Sequence, residues 1–106
     1  MGVIMRKIEK QMIAAVIGKA DKWVSGNTAV FYISAVESGN LAGSRSEVYL
    51  HGNHIADYWH DCEKPLVVDE RTLARWPSNT TKSRLRALGA DVTTKQGYTY
   101  LAGVKL

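Results

Sequence analysis

Three histidines and the only cysteine, His51, His54, His60 and Cys62, fall within a span of twelve residues, and all four are residue types that bind zinc. A tetrahedral site needs its ligands about 2 Å from one ion. The Gly52-Asn53 pair reads as a two-residue hairpin turn, which would place His51 and His54 at its flanks. His60 would then lie six residues down a strand, about 20 Å away, so no metal site is expected. His60 and Cys62 could touch as a nucleophile pair, since residues two apart on a strand share a face. No companion acid or oxyanion element accompanies them, and no cofactor fingerprint occurs, so the sequence reads as non-enzymatic and without a cofactor. Asp57, Asp61, Glu63, Asp69 and Glu70 read as the acidic outside of a sheet.

A second group of residues suits a different chemistry. Lys82, Arg84, Arg86 and Lys95 alternate with aromatic rings at Trp76, Tyr98 and Tyr100. Cations that hold phosphates beside rings that stack bases are the elements of a single-stranded nucleic-acid surface. Thr80 and Thr81 add hydroxyl and backbone donors at a helix N-terminus. The candidate nucleic-acid-binding residues are therefore Thr80, Thr81, Lys82, Arg84, Arg86, Lys95 and Tyr98. The plainer readings are a solvated basic face and two tyrosines covering a core.

Several local elements must position these groups. Trp76-Pro77 ends what precedes it, because proline disfavours helical geometry in its predecessor. Ser78, Asn79, Thr80 and Thr81 all offer capping oxygens, so a helix is predicted over 80–88 and closed by Gly89. Its apolar stripe is Thr81, Leu85 and Leu88, which sends Lys82 and Arg86 to the solvent side and leaves Arg84 at the edge. Like charges at i,i+4 slightly oppose helix formation, so replacing Lys82 and Arg86 with alanine is predicted to leave the fold intact.

Upstream, Met5, Ile8, Met12, Ala15, Val16 and Trp23 share one helical face, predicting an amphipathic helix over 5–23 that packs through Met12 and Val16. Residues 28–36 read as a strand, 38–46 as a mobile loop, and 47–51 with 54–60 as a hairpin. Leu66 to Val68 is a short buried strand, residues 70–76 a short helix, and 91–101 a hairpin turning at Gln96-Gly97. Grouped strands with flanking helices predict an α+β single domain over 1–106: an N-terminal amphipathic helix on a small antiparallel sheet over 28–68, two short helices and a C-terminal hairpin.

Composition agrees with a folded chain: 45% of residues are apolar and 23% charged in 106 residues. The single cysteine excludes an internal disulfide framework. The longest apolar run, Met12 to Gly18, is far short of the roughly twenty residues that span a bilayer, and Met1 to Met5 lacks the charge-then-apolar order of a leader. The net charge of +4 is unevenly spread, at +3 over residues 1–24, −5 over 25–70 and +6 over 71–106. A basic end beside an acidic middle attracts polyanions, and it also permits self-association as a homodimer.

The string Trp76-Pro77-x-x-Thr80-Thr81-Lys82-Ser83-Arg84-Leu85-x-x-Leu88, with Tyr49-Leu50-His51-Gly52-Asn53-x-Ile55-Ala56 upstream, resembles a family of small uncharacterised proteins encoded by tailed bacteriophages. The resemblance spans residues 46 to about 101 and implies a setting in the host bacterial cytoplasm. It assigns no site residue. Two functions are expected from these observations taken together. One is a DNA- or RNA-binding protein acting through the basic helix and final hairpin. The other is a protein that docks on an acidic surface of a host enzyme or defence complex and inhibits it, in the manner of an anti-CRISPR factor.

Overall fold

In the computed structural model, which describes residues 5–38 and 43–106, the chain folds as an α+β unit. Helix α1 (Lys7–Ile17) is followed by a five-stranded antiparallel meander. The strands are β1 (Lys22–Ser25), β2 (Thr28–Ile33), β3 (Arg45–Leu50), β4 (Asn53–Trp59) and β5 (Leu66–Val68), hydrogen-bonded in chain order, with the short helix α2 (Ala35–Ser38) after β2. Helices α3 (Glu70–Arg75) and α4 (Asn79–Ala87) follow, then a three-stranded sheet of β6 (Val92–Lys95), β7 (Tyr98–Leu101) and β8 (Val104–Lys105). No helix among the described residues is long and apolar enough to cross a membrane.

The first helix is shorter than its periodicity predicts. Gly18 and Lys19, the latter at φ 53°, break the ladder after Ile17, and Ala20 N–H closes the end by donating to Ala15 C=O. Trp23 belongs to β1, where it pairs with Val30 across the strands, so its place in the helical stripe was a coincidence of spacing. The strand predicted over 28–36 ends at Ile33, because Ser34 and Glu37 bond each other and start α2, leaving Val36 almost fully exposed. The loop predicted over 38–46 lies partly outside the described residues, and its last two residues open β3.

The β3–β4 turn is one residue earlier than expected, at His51-Gly52, with φ of 52° and 77°. A two-residue turn with both φ positive matches the twist of a hairpin, and glycine at its second position removes the steric cost there. A bulge lies opposite Val48/Tyr49, so that Ile55 and Ala56 both point into the core while His54 and Asp57 return to the other face. Without the extra residue, strand alternation would set His54 and Asp57 on opposite faces.

Met12 and Val16 of α1, Val30 and Val48 of the sheet, Leu73 of α3, Leu85 of α4 and Val92 of β6 form one buried cluster. The opposite sheet face carries Phe31, Tyr49, Trp59, Arg45, Glu47 and Asp57, all half-buried among themselves.

Buried among these apolar groups is an ion pair. Glu9 and Arg84 side chains are 3% and 4% exposed, with 2.7 Å between Oε2 and Nη1. Arg84 Nε also donates to Thr28 Oγ1 at 3.1 Å, Ser83 Oγ donates to Glu9 Oε2, and Arg6 N–H donates to Glu9 Oε1 at 3.2 Å. Among the described residues no buried side-chain nitrogen or oxygen is left without a partner. Burial raises the Glu9 carboxyl, but the bonds from Ser83, the Arg6 amide and Arg84 outweigh it and hold the group below the usual carboxylate range.

Arg84→Met strands the Glu9 carboxylate and is expected to cost about 3–5 kcal/mol in urea unfolding at neutral pH. A folded-state pKa held below its unfolded value gives stability that is complete above about pH 4.5 and drains as pH falls through the folded value. Glu9→Gln is therefore expected to lower stability at pH 7 and to flatten its decline below pH 4.5; an unchanged acid slope would show that Glu9 is not the titrating group.

Candidate nucleic-acid interface

Helix α4 begins where expected. Ser78 Oγ accepts Thr81 N–H at 3.1 Å, and Gly89, at φ 107°, follows the C-cap Leu88. Its orientation differs from the sequence reading, because α4 is wedged between α1 on one side and β6 on the other, and its buried set is Thr81, Lys82, Arg84 and Leu85. Lys82 is 6% and Arg84 3% exposed, so neither lies on a solvent face. The Lys82 stem runs along the core and its Nζ reaches Thr94 Oγ1 at 2.6 Å, while Arg86 Nε donates to Val92 C=O at 2.7 Å. The two like charges at i,i+4 thus fasten β6 to the helix, which offsets their mutual repulsion.

Of the other sequence candidates, Thr80 is half-buried, Thr81 is 3% exposed, and Arg86, Lys95 and Tyr98 are exposed. Tyr98 and Tyr100 share the outward face of β7, with Thr99 between them turned inward. Lys105 Nζ stands 3.7 Å from the centre of the Tyr98 ring and covers one of its faces. Arg86, Lys95, Tyr98 and Lys105 therefore belong with the C-terminal sheet, whereas Trp76 lies before the N-terminus of α4. A nine-residue helix separates its two ends by about 13 Å.

At that N-terminus a cleft of about 540 Å³ opens between α3, α4 and the β3–β4 hairpin, walled by His51, Asn53, Thr72, Arg75, Trp76 and Thr80 and floored by Leu50 and Ile55. Trp76 is 55% exposed on its rim. It is the C-cap of α3, with its N–H donating to Thr72 C=O at 2.8 Å and φ −129° and ψ 65°, outside the helical region that Pro77 disfavours in its predecessor. Asp69 caps α3 by accepting Thr72 N–H at 2.9 Å, and this bond leads the causes that hold its carboxyl below the usual range. Asp69 N–H donates to Ile55 C=O at 2.9 Å, fixing α3 to the sheet beside the cleft. Trp76 carried a sequence signal as an aromatic beside the basic helix. Arg75 and His51 carried none, because their approach to it depends on how the hairpin packs.

The histidines and cysteine do not converge. His51 occupies the exposed hairpin turn, His54 the outer sheet face, and Cys62 is exposed. His60 is 6% exposed, its Nε2 2.8 Å from Ser46 Oγ beneath Tyr32 and Tyr58. Burial, then the charge of Lys19, pushes its pKa below the usual histidine value. A different trio, Glu47, His54 and Asp57, brings its ligand-type atoms within 4.8 Å of one another. Those atoms already serve each other: His54 Nε2 lies 2.7 Å from Asp57 Oδ1, Arg45 binds Glu47 at 3.1 Å, and Tyr49 O–H donates to Glu47 at 3.2 Å. A cation there would have to displace Arg45.

Because Lys82 and Arg86 hold β6, the Lys82→Ala/Arg86→Ala variant is expected to lose about 1–3 kcal/mol, contrary to the sequence expectation of an undisturbed fold. Thermal unfolding followed by circular dichroism measures this, and an unchanged midpoint would return both side chains to solvent.

No curated protein and no solved structure matches the chain. A family model described as Kyanoviridae Gp96 protein matches residues 5–105. With nearly the whole fold inside that match, the chain belongs to the Kyanoviridae Gp96 family of phage proteins.

Proposed function

We propose that the protein is a non-enzymatic phage nucleic-acid-binding protein of the host cytoplasm, and that its contact surface centres on the Trp76 cleft rather than on the middle of α4. The observation that carries this reading is an exposed indole on the rim of a concave site beside Arg75 and the first turn of a helix. A large ring held half in water at the edge of a cleft offers a base a stacking partner on its free face. Arg75 is exposed and has no carboxylate partner among the described residues, so its guanidinium is available to a phosphate. The Asn79 and Thr80 amides, ahead of the Thr81 amide that Ser78 caps, have no intrahelical acceptor and lie at the positive end of the helix dipole. Exposed Arg71, Arg86, Lys95 and Lys105 supply a broader positive field that draws a polyanion in without selecting its sequence.

Trp76→Ala is expected to weaken binding of a labelled oligonucleotide by about 1–3 kcal/mol, the usual worth of one stacked base. Fluorescence anisotropy in about 50 and 200 mM salt measures this, and affinity should fall as salt rises. An unchanged affinity, or no binding by the parent at the lower salt, would overturn the reading. The exposed cations would then be assigned to an acidic surface of a host protein.

A further inference from the structure

A second cleft, of about 460 Å³, lies on the outer sheet face at the same end of the molecule, lined among others by Lys22, Val24, Asn27, Phe31 and Tyr49. It shares His51 with the Trp76 cleft. Leu50 and Ile55 floor one cleft while Phe31 and Tyr49 wall the other, and alternation along the strands puts these pairs on opposite faces of the sheet. The two clefts therefore flank the His51-Gly52 turn on opposite faces of the sheet, with His51 lining both. Each cleft has its own aromatic surface, Trp76 on one side and the edge-to-face pair of Phe31 and Tyr49, 5.5 Å between centroids, on the other. Each cleft also has an exposed cation without a carboxylate partner among the described residues, Arg75 and Lys22 respectively.

From this geometry we infer that the ligand is a single strand, running from Trp76 over the hairpin turn onto the Phe31/Tyr49 face. The inference rests on the proposed nucleic-acid function. A duplex has a persistence length of about 150 base pairs, so folding one across the edge of a single sheet within a few base pairs carries a large deformation cost, whereas a single strand bends freely. Crossing one sheet thickness of about 10 Å takes at most about three nucleotides, each advancing 3.4 Å or more, so with a stacked base at either end the site holds at most about five. That length falls in the lower range used by small single-strand-binding folds. The path stops at Glu47, which pairs across the strands with Phe31 and would repel a further phosphate. Arg45 and Tyr49 already bind that carboxylate, so its charge is muted but not reversed.

The test compares labelled oligo-dT and oligo-U strands of about three and eight nucleotides with a duplex of the longer sequence, binding the parent, Lys22→Ala, Tyr49→Leu and Trp76→Ala. Lys22→Ala is expected to weaken the longer strand several-fold, leave the shorter one unchanged, and reduce the salt slope for the longer strand by about 0.7. Tyr49→Leu should weaken the longer strand about ten-fold, and Trp76→Ala should weaken both lengths. Should Tyr49→Leu fail to fold, Lys22→Ala decides alone, since its side chain is exposed. Longer-strand binding that ignores Lys22→Ala while Trp76→Ala still weakens it would refute the path and leave the Trp76 site standing. A duplex bound as tightly as the single strand would refute it too. Indifference of both lengths to Trp76→Ala would bring down the site and the path together.

Discussion

The buried pair of Glu9 and Arg84 is the constraint on which the arrangement depends. It joins residues 75 positions apart, and its hydrogen bonds extend to Thr28 on β2 and to the Arg6 amide at the start of α1. A short helix such as α4 is not stable alone and must dock. Its mean apolar content is low, so docking through Leu85 alone would leave its orientation about its own axis poorly determined. The ion pair, with the bonds from Ser83 to Glu9 and from Arg84 to Thr28, favours one rotation of α4 against α1 and β2. Desolvating both charges is expensive, so the pair adds little net stability compared with apolar residues of the same shape. What it contributes is register, and register places Ser78 and Trp76 at the mouth of the hairpin.

That fixed rotation decides which cations remain for other work. The C-terminal third has seven lysines and arginines, and α4 turns three of them to structural use: Arg84 in the ion pair, and Lys82 and Arg86 on β6. Arg86 keeps part of its guanidinium in water, and Arg71, Arg75, Lys95 and Lys105 are exposed. The positive field of this third therefore survives folding, but its local centres move away from the middle of the helix towards its two ends. The sheet makes a parallel choice with its acids, since Glu47, Asp57 and Asp69 are engaged by Arg45, His54 and the α3 amides.

Elements whose boundaries rest on local chemistry were legible in the sequence: the Ser78 cap, the Gly89 stop, the Gln96-Gly97 turn and the short strand at Leu66, although that strand forms the sheet edge with Val67 51% exposed rather than buried. Elements that depend on a partner were not. Trp23 satisfies a helical stripe as well as a strand alternation, and only pairing with Val30 selects the strand. Strand β8 is two residues long and exists through its bonds to β7. Lys82 read as a surface residue and Arg84 as an edge residue because charge is normally solvated, and the compensating Glu9 lies too far along the chain to be recognised as a partner. The bulge at Ile55 leaves no glycine to mark it.

Trp76 and the hairpin illustrate how a site arises at positions where local preference and packing disagree. Burying the indole would gain on the order of 2 kcal/mol, yet Trp76 stays 55% exposed at the end of α3, where Pro77 stops the helix. His51 holds a left-handed conformation, at φ 52°, that a non-glycine residue adopts at some cost. Both strains occur on one end of the molecule and border the same cleft. Had α4 rotated by one residue about its axis, roughly 100°, Arg84 would lose Glu9 and the Thr80/Thr81 wall would leave the cleft. The ion pair in the core and the Thr80/Thr81 wall of the cleft are thus two consequences of a single helix orientation, while the exposed ring beside them belongs to the end of α3.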